Sequence, residues 1–327
     1  MNVDIKNNDF ELLSDKEKNP LVSAVIITYN SANFIIETLE SVKLQSYQNL
    51  ELIISDDASK DDTVKICEKW ISENQGRFVN VKIIKVPDNL GIAQNCNRGI
   101  NAALGKWLKL CAGDDLLLPD CISENINFIT NNKDAKIVIS DSISFLDETE
   151  PKEIIEITKP YWGKRSFPKT AKQQYEALLL SYCGNTTSLF VAREVYATIK
   201  LDESFPLLED YPFLLNATKL GNFVYYLNKE TVMFRQRKES VYAGDNDRLF
   251  KNYYKKSQKF DRIYRYPNLP RIVKYYEITN FYRLTILDAL HFNKKTFIDK
   301  LFYNLTKYLN PFRYLISLDD FLYKLKK

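Results

Sequence analysis

Two hydrophobic periods alternate along the first 140 residues, and each switch between them predicts a strand feeding a helix. Leu21-Val22-Ser23-Ala24-Val25-Ile26-Ile27 is a short, nearly unbroken β-branched run, the pattern of a strand covered on both faces. Phe34, Ile35, Leu39 and Val42 then recur at helical spacing, with Asn30 or Ser31 placed to cap. The switch repeats: a strand over 50–55, then a helix behind Asp61 or Asp62 whose apolar face is Val64, Cys67, Trp70 and Ile71. A third strand is expected over 81–86, followed by a helix over 91–104 with Ile92, Cys96 and Ile100 four residues apart. A fourth strand spans 107–111, a helix 119–131 and a fifth strand 136–140. Such alternation implies right-handed crossovers and a mainly parallel sheet, an α/β fold.

Beyond Asp141 the periodicity fades, and 141–168 reads as loops over the sheet. A helix is expected over 172–182, a strand over 186–192, a helix from Asp210 to about Lys219, and a β-hairpin from 222–227 and 231–235. The tail from Tyr242 is helical in pattern, with Leu249, Phe250, Ile272, Tyr276, Phe281 and Leu284 among its apolar positions. The expected organisation is a polar, disordered lead (1–20), one α/β half (21–140), a second half of the same domain (141–240) and a helical extension (241–327).

The sheet's carboxyl edge would collect Tyr29, Asp57 and the pair Asp114 and Asp115 from three separate strand ends, and in open α/β sheets that edge is where ligands bind. Adjacent carboxylates suit a hard divalent ion, Mn²⁺ or Mg²⁺, that keeps water and phosphate oxygens in its other positions. A surface turn with an Asp as helix cap has the same local sequence. No Gly-x-Gly-x-x-Gly follows the first strand and no Walker loop is present, which argues against a dinucleotide or P-loop fold.

Composition narrows the classes further. Hydrophobic residues make up 45% of 327, with only 9 Gly and 11 Pro, so a packed core is expected rather than disorder. The first twenty residues lack the basic head and apolar run of a secretory signal, and no apolar run approaches the ~18 residues of a spanning helix. Five cysteines without Cys-x-x-Cys spacing and a single His leave no zinc set, and fit a reducing cytoplasm. Net charge is +4, yet 241–327 holds 18 Lys/Arg against 8 Asp/Glu and twelve of the 21 Tyr. Basic, aromatic, amphipathic helices suit peripheral contact with the inner membrane face, and equally the packing of a helical cap. No module for nucleic acid accompanies the charge.

The ordered series Ala24-Val25-Ile26-Ile27-Thr28-Tyr29-Asn30, Gln45 to Ser59 with Asp56-Asp57, Asp88-Asn89-Leu90-Gly91-Ile92-Ala93, Asn97-Arg98-Gly99-Ile100 and Gly113-Asp114-Asp115 with Pro119 resembles family 2 glycosyltransferases. The resemblance covers roughly 21–139 and implies a GT-A-like sandwich and a nucleotide-diphosphate sugar, expected to be a UDP sugar, as donor. It implies that Tyr29 lies against the base, that Asp57 accepts a hydrogen bond from the base ring, and that Asp114 and Asp115 hold ribose and the divalent ion. Thr28 and Asn97 join the donor site on the same ground. Asp210, which follows Glu209, is implied as general base, and Arg235 or Arg237 as a clamp on the diphosphate. The plainer alternatives are a Tyr29 packed on the first helix, Asp57 as a turn residue, Asp210 as an N-cap before Pro212, and the arginines as solvated charge. Two positions depart from the family pattern: Ala112 replaces the first Asp of Asp-x-Asp, and Cys96 replaces an Arg, with Arg98 two positions on expected to face elsewhere.

The expected activity is metal-dependent, inverting transfer of a sugar to a glycan or lipid-linked acceptor, in the setting of surface polysaccharide synthesis. The alternative from another class is a catalytically silent glycan- or lipid-binding scaffold on the same fold. A nucleotidyltransferase would want a Gly-rich, Arg-containing loop after the first strand, which is lacking.

Overall fold

The computed structural model describes residues 19–146, 152–160, 168–182, 184–205, 208–236, 248–250 and 253–315. The chain divides into two compact units, Met1–Gln236 and Arg237–Lys327. The expected lead over 1–20 falls almost wholly outside the described residues, as do Arg237 and Cys183.

The first unit is built on a nine-stranded mixed sheet. Its first half follows the expected series: β1 (Val22–Thr28), α1 (Ile35–Lys43), β2 (Leu50–Asp56), α2 (Thr63–Asn74), β3 (Asn80–Lys85), α3 (Ile92–Ala102) and β4 (Trp107–Ala112). Strands β3, β2, β1 and β4 pair in parallel in that order. β1 and β2 are buried almost throughout, because helices cover both faces, and this is why their sequences run apolar instead of alternating. Helix α1 seats Ile35, Thr38, Leu39 and Val42, and α2 seats Cys67 and Trp70, the faces their spacing predicts.

After the short β5 (Leu116–Leu117) and α4 (Cys121–Asn131), the sheet turns mixed. β6 (Ile137–Leu146) is longer than expected, and β7 (Glu153–Thr158) lies antiparallel on its far end, so part of the stretch read as loops is sheet. After α5 (Ala171–Leu180), β8 (Leu189–Ala192) inserts antiparallel between β4 and β6, and is followed by α6 (Arg193–Thr198). α7 (Asp210–Lys219) then leads into β9 (Val224–Gln236). The expected hairpin over 222–235 is instead this one strand, parallel to β6 along its length. Asn228-Lys229-Glu230 forms an irregularity in register where Ser140 pairs with Leu227 but Asp141 with Glu230, so a polar triplet that reads as a turn is a bulge.

The second unit is helical: α8 (Tyr253–Phe260), a π-type turn over 261–265, α9 (Arg271–Ala289) and α10 (Phe297–Tyr308). Phe260, Tyr266, Leu269, Leu284 and Leu287 are its buried apolar residues. α10 begins at Thr296, whose hydroxyl accepts from the Asp299 amide while the Asp299 carboxylate accepts from the Lys294 amide at 2.6 Å, so its first turn is held by reciprocal side-chain caps.

Candidate active site

The carboxyl ends of β1, β2 and β4 meet in one place. The Asp57 amide donates to the Thr28 carbonyl at 2.9 Å and the Gly113 amide to the Ile27 carbonyl at 2.8 Å, tying the turns after β2 and β4 to the end of β1. Thr28 uses its hydroxyl on Asp56 (2.9 Å), and its carbonyl also accepts from Asn95 of α3 (3.2 Å). Asn30 and Ala58, the residues just past these strand ends, both have positive φ, 51° and 65°. Left-handed backbone at non-glycine residues is uncommon and clusters where surrounding structure fixes it, as in binding sites. Tyr29, just before Asn30, has its ring open to solvent, 48% exposed.

Asp57 is buried, and both its oxygens are engaged. They accept from the amides of Leu90 (3.1 and 3.2 Å) and Gly91 (2.7 Å), and Arg98 of α3 pairs with Oδ1 at 2.6 Å. The expectation that Arg98 faces away from this corner is therefore corrected: its long side chain bends back along the helix to reach Asp57. Two of its guanidinium donors, Nε and Nη1, are buried there with no partner among the described residues. Asn97 points elsewhere, its amide exchanging hydrogen bonds with the backbone of Leu201 (3.0 and 3.2 Å) and its NH₂ also reaching Glu203 (2.8 Å). In this arrangement it braces α3 against the 201–203 turn.

The paired carboxylates after β4 differ in burial. Asp115 is buried and accepts from the Thr187 hydroxyl at 2.8 Å and the Arg235 amide at 3.0 Å, whereas Asp114 is partly exposed. Burial first, and then the neighbouring Asp114 charge, push Asp115 up to about 7. Arg235 lies beneath them: Nε donates to the Asp114 carbonyl (2.7 Å), Nη2 pairs with Glu37 (3.0 Å), and its guanidinium rests on the rings of Phe34 and Phe145. A side chain so enclosed props the Asp114–Asp115 turn from below. Among the described residues no group of three or more His, Cys, Asp or Glu gathers to hold an ion. Asp114 and Asp115 offer two hard oxygen donors whose mutual repulsion a divalent ion would relieve. That set fits Mg²⁺ or Mn²⁺ if the remaining positions go to phosphate oxygens and water.

The second acidic pair, Glu209 and Asp210, opens α7. Thr186 donates to Glu209 at 2.8 Å, and its neighbour Thr187 is the residue that holds Asp115, so one turn of chain bridges the two pairs. The Tyr182 hydroxyl donates to Asp210. Asp210 is half-buried, and burial followed by the Glu209 charge pushes it up to about 7, against the opposing hydrogen bond from Tyr182. Burial likewise raises Glu209. Burial first, and then the charges of Glu209 and Asp210, push the thiol of Cys96 on α3 well above its ordinary value. Tyr29, Asp57, Asp115 and Asp210, spread over 182 positions of chain, thus belong to one connected region. Thr186, Thr187 and Tyr182 had no motif to mark them, whereas the acidic residues they serve, and Arg98 within its motif, were conspicuous in the sequence.

The chain is similar to known proteins. The family model described as Glycosyl transferase family 2 matches residues 23–194. An uncharacterised glycosyltransferase of Haemophilus influenzae is 27% identical over 95% of this chain and 96% of its own length. The amylovoran biosynthesis glycosyltransferase AmsB of Erwinia amylovora is 27% identical over 61% of this chain and 64% of its own. Among solved structures, S. aureus TarS 1–349 superposes with a TM-score of 0.56 at 17% identity, covering 86% of this chain and 77% of TarS. TarS 1–349 in complex with UDP-GlcNAc superposes at 0.53 with 18% identity, covering 80% and 72%. The sheet order, the acidic strand ends and the family match over more than half of its length place this chain in glycosyltransferase family 2, with the GT-A-like fold.

Proposed function

We propose that this glycosyltransferase is a metal-dependent, inverting enzyme that moves a sugar from a UDP sugar to a glycan or lipid-linked acceptor during surface polysaccharide synthesis. The single observation that carries the chemistry is the Thr186-Thr187 bridge, which sets the Glu209–Asp210 pair beside the Asp114–Asp115 pair. The donor class and setting are supported by the relatives, AmsB being named for amylovoran biosynthesis and TarS having been crystallised with UDP and UDP-GlcNAc.

An acceptor hydroxyl attacks the anomeric carbon as the bond from that carbon to the diphosphate oxygen breaks, and UDP leaves with the electron pair. Asp210 takes the hydroxyl proton as the new bond forms, which is the step that makes a neutral alcohol an adequate nucleophile. A carboxyl raised toward 7 is a stronger base than an ordinary aspartate and remains substantially ionised at neutral pH. A Mg²⁺ or Mn²⁺ ion held by Asp114 and Asp115 would supply positive charge to the departing diphosphate. Attack from the face opposite the leaving group inverts the anomeric centre. At the base end, the exposed ring of Tyr29 offers a stacking surface, and Arg98 pairs with Asp57. Arg237 remains a candidate for the diphosphate from its sequence position alone.

The test is Asp210→Asn, which keeps size and hydrogen bonding while removing the base. Transfer from UDP-GlcNAc to a membrane-lipid extract should fall by at least ~10²-fold, with UDP affinity within about twofold of the parent. Undiminished transfer would remove Asp210 from the mechanism, and failure of the parent chain to bind any nucleoside diphosphate would favour the silent scaffold.

A further inference from the structure

We propose that α10 is a membrane-docking helix which lies in the plane of an anionic lipid surface with its apolar face in the headgroup region. The proposal is independent of the transfer chemistry and rests on which side of this helix faces out. An amphipathic helix of a soluble domain normally turns its apolar stripe to the core. α10 does the reverse. Phe297, Ile298, Leu301, Leu305, Tyr308 and Leu309 fall on one arc of the helix and its first following residue, and all are more than half exposed, Phe297 at 81% and Leu309 at 70%. Phe302, on the same arc, is 39% exposed and stacks on Phe292.

The side turned toward the rest of its own unit is held by polar contacts, with the Tyr303 ring stacked on Phe250. Asp299 is buried there, Arg283 of α9 donates to the Tyr303 carbonyl (3.1 Å) and the Thr306 hydroxyl (3.2 Å), and Asn310 donates to Thr279 (2.9 Å). These bonds fix the helix's rotation, so the outward stripe cannot be buried by turning the helix about its axis. A contiguous exposed stripe of large apolar residues marks an interaction surface.

Charge selects the occupant. Within residues 292–315 there are five cations, Lys294, Lys295, Lys300, Lys307 and Arg313, against one carboxylate, and that carboxylate is the buried Asp299. Lys300 and Lys307 share one flank of the apolar arc, where their stems can run along it while the ammonium groups reach phosphate. An apolar stripe edged by cations suits a bilayer rich in anionic lipid. No helix of the described residues is long and apolar enough to cross a membrane, so the contact is one of lying on the surface.

Flotation of the full chain with vesicles tests this, comparing phosphatidylcholine alone with phosphatidylcholine containing about one-third phosphatidylglycerol. Recovery with the anionic vesicles, weakened by salt, is the expected result. Leu301→Glu with Leu305→Glu should reduce partitioning at least ~tenfold, and Lys300→Glu or Lys307→Glu about fivefold each, on anionic vesicles only. The leucines are exposed, so the double variant should melt with the parent and a lost interaction cannot be ascribed to misfolding. Absence of parent binding to anionic vesicles, or undiminished binding by the double variant, would overturn the proposal. So would concentration-dependent self-association that the double variant abolishes without any vesicle binding, which would assign the stripe to a second copy of the chain.

Discussion

With Asp210 as the proposed base and Arg98 beside Asp57, single side chains set what the proposed transfer should depend on. A carboxyl raised to about 7 makes the transfer rate rise about tenfold per pH unit below that value and level off above it. Stability should run the other way. The folded chain binds the Asp210 proton more tightly than the unfolded chain does, so the unfolding free energy falls as pH climbs from the ordinary 3.8 toward 7. Rate profiles and thermal melts over pH 5–8 should therefore cross, and in Asp210→Asn the downward slope in melting temperature should shrink; a parent rate flat across that range would exclude Asp210 as the titrating base. For Arg98, replacement by Lys keeps a cation beside Asp57 but loses the planar fork. The expected result is a donor KM raised roughly 5–30-fold with kcat unchanged. A lowered melting temperature with unaltered KM would instead confine Arg98 to holding Asp57.

At the scale of elements, what the sequence disclosed depended on whether each element's neighbours were local. β1, β2, β4 and the helices between them pack as consecutive βαβ units, so each apolar face is dictated by contacts close in sequence, and periodicity marked them within a few residues. β8 has four residues and lies antiparallel between strands from elsewhere, and β7 is exposed at all six positions, so neither carries a two-residue alternation. β9 was read as two strands because its polar triplet mimics a turn, and only pairing with β6 resolves it as a bulge. The site divides the same way. Adjacent acids near strand or helix ends were conspicuous, whereas Thr187 meets Asp115 across 72 positions and no local pattern can announce such a partner. One consequence concerns the turn after β4: a Cβ on Gly113 would come within 2.8 Å of the Thr28 methyl and 3.0 Å of the Ser31 hydroxyl. Gly113→Ala should push this turn off the end of β1 and carry Asp114 with it. Activity should fall at least ~tenfold with a stability loss of about 1–3 kcal/mol, measured by transfer assay and denaturant melt. Full activity at lowered stability would show that the site tolerates displacement of this turn.

Across the whole molecule, charge is sorted by unit: the acidic groups of the site lie in the first, while the second carries the excess of Lys and Arg. Donor and acceptor chemistry make separate demands that this sorting answers. In the proposed reaction a UDP diphosphate would approach carboxylates that repel it, so donor binding and metal binding should be mutually dependent, each supplying the charge the other lacks. A lipid-linked acceptor of the kind proposed would be confined to a surface, and a basic unit docking there through the exposed face of α10 would bring the enzyme to it without requiring tight acceptor binding. The first of these dependences can be read from melting. Saturating UDP at about 100 times its Kd should stabilise the chain by about 2.7 kcal/mol. For a unit of this size that is a rise of roughly 5–10 °C, expected with Mn²⁺ present and largely lost in EDTA. Because Asp115 is buried and already engaged by Thr187 and the Arg235 amide, Asp114 should carry most of the ion binding. Asp114→Asn should then abolish the Mn²⁺-dependent part of the shift. An equal shift in EDTA would show that donor binding proceeds without the ion and that the paired carboxylates serve the ribose and the fold instead.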